Sequence, residues 1–167
     1  MFFACHTGAR RSEILRLAVS DLDFEANVAT IREKKKARGK LTTRRVALSP
    51  ALRDVLKAWL AVHPGGDILF RHGPVVEKSR KDRSVVAQLT ENESSDNLRR
   101  TLDRTQWKVI RGWNTFRHSV ISNCVCRGID ERIIDQWVGH TSNVRRRYMH
   151  LLPSVSQESI KRVFGSI

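Results

Sequence analysis

The chain has 167 residues, with 31 lysines and arginines against 17 acidic residues, a formal net charge of +14. Such an excess attracts phosphates at long range and points to a polyanionic partner, most simply DNA or RNA. The 40% apolar content is enough for one domain with a buried core and excludes a compositionally disordered chain, while the lack of a long apolar run able to span or anchor argues against a membrane surface as partner.

In chain order, the start MFFACHTGARR is too short in its apolar part for a signal peptide. Phe2, Phe3 and Ala4 read as the last turn of a core helix whose beginning is absent. Residues 12–17 read as a helix with Ile14, Leu15 and Ala18 on one face, and Asp21 and Asp23 bracket its exit. A β-rich run at 28–31, a basic turn at 34–40 containing Gly39, and a second β-rich run at 42–48 together predict an antiparallel hairpin. Ser49-Pro50 opens a helix whose apolar face is Leu52, Val55, Leu56, Trp59 and Leu60, ended by His63-Pro64-Gly65-Gly66. Residues 68–70 form a short buried segment.

From 71 to about 96 the sequence is polar, and two loops are expected there: a basic one at 78–83 and an acidic one at 91–96. Residues 97–102 read as one or two helical turns. A helix at 113–126 turns Phe116, Val120, Ile121 and Cys124 inward and stops at Gly128. Asp130 caps the next, with a stripe of Ile133, Ile134, Trp137 and Val138 ending at Gly139. A short helix at 145–151 and a final one from Ser154, boxed with Gln157, to Phe164 complete the chain. The expected fold class is α+β, mostly α-helical, with a small antiparallel β-sheet (hairpin about 28–48) beside a helical core in a single domain, 1–167.

Cys5, Cys124 and Cys126 make no metal-type pair and read as reduced, buried residues of a cytoplasmic protein. His6, His63, His72 and His150 show no ligand spacing, so neither metal nor cofactor is expected. His118 is expected to be structural, and the four tryptophans to be core rather than base-stacking residues.

The distinctive surface is Arg145-Arg146-Arg147-Tyr148, which holds the only tyrosine. A phenol ionises near pH 10, and neighbouring cations favour its phenolate and attract a phosphodiester. Basic groups also stand at three distant element boundaries: Arg10, the lysines at 34–36, and Arg117-His118. Arginine forks match phosphate oxygens bidentately, and a lysine near a leaving oxygen can donate a proton.

These boxes, in this order, resemble the catalytic domain of the tyrosine recombinases, the phage integrase family. TGARRSEILRL is similar to that family's TGLRxSEL box, which places the first catalytic arginine at Arg10 and a supporting glutamate at Glu13. WNTFRHS resembles HxLRHT and puts the second arginine at Arg117. WVGH resembles LGH and selects His140. RRRYMHL resembles TxxYxH and selects Tyr148 as nucleophile. The hairpin register selects Lys35 as the catalytic lysine, with Lys34 and Lys36 as close rivals.

The resemblance implies metal-free DNA cleavage through a 3′-phosphotyrosyl intermediate, with the lysine protonating the leaving 5′-oxygen. It implies double-stranded DNA as partner, other protomers in a synaptic complex, and a C-terminal helix (153–167) that docks on one of them. Lys34, Lys36, Arg38, Lys40, Arg44, Arg145 and Arg146 are the expected DNA contacts.

Three features depart from the family pattern. Asn114 stands where the family has a histidine; an amide donates a neutral hydrogen bond but cannot carry a proton. His140 and Tyr148 are eight residues apart where nine is common. The family's N-terminal DNA-clamping domain is expected to be missing here, so that the sequence reads as a fragment of a longer gene or a truncated remnant. A non-catalytic DNA-binding remnant is therefore the main alternative expectation; a type IB topoisomerase and an RNA-binding protein rank below it.

Overall fold

The computed structural model describes residues 1–37, 40–71 and 88–139. The Gly39 turn, the 78–83 loop, the helices expected beyond 144, and Arg38, His72, His140, Arg145, Arg146, Tyr148 and His150 lie outside the described residues.

The order of elements is α1 (Phe2–Thr7), α2 (Arg11–Ile14), a 3-10 turn (Val19–Asp21), β1 (Leu22–Asp23), β2 (Val28–Ala37), β3 (Lys40–Ala47), α3 (Pro50–Ala61), α4 (Glu91–Asp103), a second 3-10 turn (Gln106–Val109), α5 (Asn114–Cys126) and α6 (Glu131–Val138). The strands form one antiparallel sheet in the order β1-β2-β3. The expected mostly helical domain with a small antiparallel sheet is the observed one.

Local chemistry explains the ends. Ser49 Oγ accepts the Leu52 N–H at the start of α3, and the Asp130 carboxylate accepts the Arg132 N–H at the start of α6. The core joins α1 and α2 (Phe3, Ala4, Ile14) to the sheet (Ala29, Ile31, Val46) and to Leu52, Leu56, Leu69, Leu98 and Phe116. A second, smaller cluster of Ile121, Val125, Ile134 and Val138 locks α5 to α6.

Several expectations are corrected. The acidic stretch at 91–96 is the first half of α4, not a loop. Thr90 and Glu93 form a reciprocal capping box there, first-turn acids complement the helix dipole, and Ser94, Leu98 and Leu102 are buried at four-residue spacing. The helix expected at 12–17 is only Arg11–Ile14, because Asp21 accepts the Ala18 N–H and turns the chain into the sheet. Lys34, Lys35 and Lys36 lie on β2 rather than in a turn; the ladder runs on to the pair Ala37 and Lys40. Its register shifts between Arg32 and Lys36, and such a bulge bends the strand locally.

Cys5 and Cys126 are exposed, against the expectation of burial, while Cys124 is half-buried and packs inward against the Ile121 cluster. Ile133 and Val55 are also exposed. Trp107 is 56% exposed and is no core tryptophan. Among the described residues no helix is long and apolar enough to cross a membrane.

Candidate functional site

Arg10 stands at the end of the loop between α1 and α2, and its neighbour Glu13 fixes it twice. The Arg10 backbone N–H donates to Glu13 Oε2 at 2.8 Å, and its Nη1 donates to Oε1 at 2.9 Å. Arg10 Nη2 reaches the Gly139 carbonyl at 3.4 Å. Glu13 itself is 2% exposed. Burial alone pushes its carboxyl up, but the Arg44 hydrogen bond and charge, joined by both Arg10 contacts, outweigh it and hold the group below the ordinary carboxylate range.

Arg44, on β3, is the hub beneath these groups. Its Nη2 donates to Glu13 Oε2 at 2.7 Å, its Nη1 to Glu33 Oε1 on β2 at 3.1 Å, and its Nε to the Trp137 carbonyl at the end of α6 at 2.9 Å. One planar guanidinium therefore ties the hairpin, the α2 start and the α6 end together. The expected DNA contact at Arg44 is corrected: the residue is 7% exposed, and all three of its nitrogens are bonded to protein.

Arg117 lies one turn into α5, 5% exposed. Its Nη1 donates to the Gly8 carbonyl at 2.6 Å. Among the described residues its buried Nη2 has no hydrogen-bond partner. Burial, and then the Arg10 charge, lower its pKa to about 10. It remains a cation at neutral pH, largely buried, facing the charges of Arg10 and Arg44 as well as those of Glu13 and Glu33. Burial and the two neighbouring guanidiniums outweigh the two carboxylates, so a further anion at this guanidinium would offset the remaining cost. Asn114, at the start of the same helix, is exposed and shares with Arg10 and Arg111 a cleft of about 560 Å³. Arg11, also in that wall, is tied to Ser95 and Glu91 of α4.

The structure thus gathers Arg10, Asn114 and Arg117 at one place. Lys34, Lys35 and Lys36 on β2 and Lys40 at the start of β3 continue the strands that carry Glu33 and Arg44. Among the described residues no cluster of His, Cys, Asp or Glu could hold a metal ion. Sequence reasoning missed Glu33 and the bracing role of Arg44, since each looks like one more charge in a charged strand. It also missed two backbone carbonyls, Gly8 and Gly139, which no side-chain pattern reveals.

Gly139 carries its own constraint. It sits at φ 67, and a Cβ there would run into Glu33 Oε1 and lie 2.8 Å from Arg44 Nη1. Gly139→Ala is expected to cost about 1–3 kcal/mol in urea denaturation through backbone strain and displacement of that pair. It should slow any chemistry that depends on Arg10, because the Gly139 carbonyl would move with the strained turn.

The sequence matches the phage integrase family over residues 1–154. It is 27% identical over 165 residues to tyrosine recombinase XerC of Treponema denticola, a match covering 93% of this chain and 52% of that protein. It is 23% identical to tyrosine recombinase XerA of Pyrococcus furiosus, covering 93% and 50% respectively. The chain spans about half the length of these curated relatives. Its fold is that of a crystal structure of XerA recombinase, with a TM-score of 0.67 at 21% identity, covering 96% of this chain and 54% of that one. It also resembles XerH site-specific recombinase bound to its palindromic difH substrate after cleavage, with a TM-score of 0.67 at 23% identity, covering 95% and 43%.

Proposed function

Because the chain belongs to the phage integrase family, we propose that it is the catalytic part of an enzyme that breaks and rejoins DNA at specific sites. Tyr148 Oη attacks the scissile phosphorus as its proton passes to solvent water. The P–O5′ bond breaks, the 3′ end stays on the tyrosine as a phosphodiester, and the 5′-oxygen leaves as a hydroxyl. The covalent link conserves the bond energy, so rejoining needs no external energy source. Arg10 and Arg117 stabilise the charge of the pentacoordinate phosphorus, with His140 and the Asn114 amide as further donors. Lys35, or its neighbours Lys34 or Lys36, protonates the leaving oxygen. Lys34, Lys36, Arg38, Lys40, Arg145 and Arg146 hold duplex backbone phosphates. Other protomers complete a synaptic complex, with residues 153–167 docking between them.

The observation that carries this reading is the buried Nη2 of Arg117, unbonded among the described residues and beside Arg10. A buried guanidinium with an unused donor and a second cation as neighbour suits a phosphate oxygen. XerH recombinase and the Tn1549 transposon integrase, both of like fold, are solved in complexes with DNA.

The test is a duplex nicked close to the cleavage point, so that the released fragment diffuses away and religation stops. A protein–DNA adduct resistant to denaturing detergent is expected, and digestion should map the nucleotide to the peptide carrying Tyr148. An adduct on another residue, or none at low salt on substrates that bind, would overturn the mechanism.

A further inference from the structure

Trp107 is the most exposed aromatic side chain among the described residues; it lies on a basic stretch, and nothing in the cleavage mechanism uses it. It sits in the 3-10 turn Gln106–Val109 between α4 and α5, which has a defined shape. Thr105 Oγ accepts the Trp107 backbone N–H at 3.1 Å, and the Trp107 carbonyl accepts the Ile110 N–H at 3.0 Å. The backbone is therefore held while the ring is presented outward, 56% exposed. Among the described residues the Trp107 indole makes no hydrogen bond or ring contact. Trp59 and Trp113, by contrast, donate their indole N–H groups to the carbonyls of Leu69 and Ser94.

The charges around it are equally unused. Arg104, Lys108 and Arg111 are exposed, and none forms an ion pair among the described residues. Arg111 also lines the cleft shared by Arg10 and Asn114, so this surface runs directly into the candidate active site.

We propose that Trp107, with Arg104, Lys108 and Arg111, is a stacking platform for an unpaired DNA base beside the cleavage site. The cations fit a phosphate backbone. The ring adds a requirement that intact duplex does not meet, because paired bases keep their faces in the stack and leave an exposed indole idle. A base out of the stack offers a π-face to the indole, and such contacts tolerate any sequence. The proposal rests on the DNA-processing reading above and adds to it a preference for locally unpaired substrate.

The test compares binding to a duplex with binding to the same duplex carrying a short unpaired internal segment, at one salt concentration. Trp107→Ala should weaken binding to the unpaired substrate about tenfold, leave intact duplex within about twofold, and leave the melting temperature unchanged. Trp107→Phe should retain most of the preference, and Trp107→Leu should not. The double variant Arg104→Gln with Lys108→Gln should weaken both substrates alike and reduce the salt slope by about two. An equal effect of Trp107→Ala on both substrates, or no effect on either, overturns the platform while leaving the DNA-processing reading intact. A parent protein that binds neither substrate overturns both, and is distinguishable for that reason.

Discussion

Arg117→Met should be at least as stable as the parent protein in the absence of DNA, yet cleave a nicked duplex about 100- to 1,000-fold more slowly. The two expectations share one cause. In the free protein Arg117 is buried, one of its nitrogens has no partner among the described residues, and its pKa is lowered to about 10. That lowering corresponds to a charged form disfavoured by on the order of 3 kcal/mol. The cost is present in full at neutral pH and is relieved only as pH rises through about 10. A methionine of similar length removes it, against the roughly 1 kcal/mol of the lost bond to the Gly8 carbonyl. On the proposed mechanism the same substitution deletes a donor to transition-state charge, and one such donor is worth about 100- to 1,000-fold in rate. Thermal melting and single-turnover cleavage measure the two sides. A large fall in melting temperature would show that Arg117 is a structural cation, and unchanged cleavage would remove it from the mechanism.

Glu13→Ala should lose about 3–5 kcal/mol of stability, the penalty for stranding one member of a buried ion pair. Arg44 would keep Glu33 as its remaining carboxylate, and Arg10 would lose both of its contacts to the Glu13 side chain. Cleavage should fall further than stability explains, because Arg10 would then be held only by its long contact to Gly139. Pairing Glu13→Ala with Arg44→Met should recover stability but not cleavage. Urea denaturation and single-turnover rates separate the two effects; recovery of both would show that the network serves folding alone.

The pH dependence follows with a definite sign. Glu13 in the folded protein is held below the ordinary carboxylate range. Its contribution is therefore fully present above that range and is lost as pH falls through the folded value. The acid limb of the parent stability profile should flatten in Glu13→Gln. An unchanged limb would mean that other carboxylates control acid unfolding.

Much of the site was legible in the residues. Arg10, Glu13 and Arg117 sit in boxes whose spacing reflects local geometry: a turn leading into α2 for the first two, the first turn of α5 for the third. The capped helices α3 and α6 were legible for the same reason, since Ser49 and Asp130 act on backbone within three residues of themselves. Where the reading failed, a distant partner had overruled a local appearance. The stretch at 91–96 looks like an acidic loop until Leu98 and Leu102 find the core and the Thr90–Glu93 box starts the helix early. Arg44 looks like a DNA-facing arginine of a basic hairpin until Glu13, 31 residues away, and Trp137, 93 residues away, claim its nitrogens.

By itself the sequence determined the charge of the molecule, its mostly helical class, its family boxes and the order of the candidate catalytic groups. All of these depend on composition or on contacts within a few residues. Only the tertiary structure decided which cations are free to meet a phosphate. Arg44 and Arg117 are both buried arginines, but one is saturated by carboxylates and a carbonyl while the other keeps a nitrogen unbonded among the described residues. Likewise it separated Trp107 from the tryptophans that pack inward. Burial and hydrogen-bond saturation are properties of the assembled neighbourhood, and here they separate the side chains that brace the site from those left to act on a ligand.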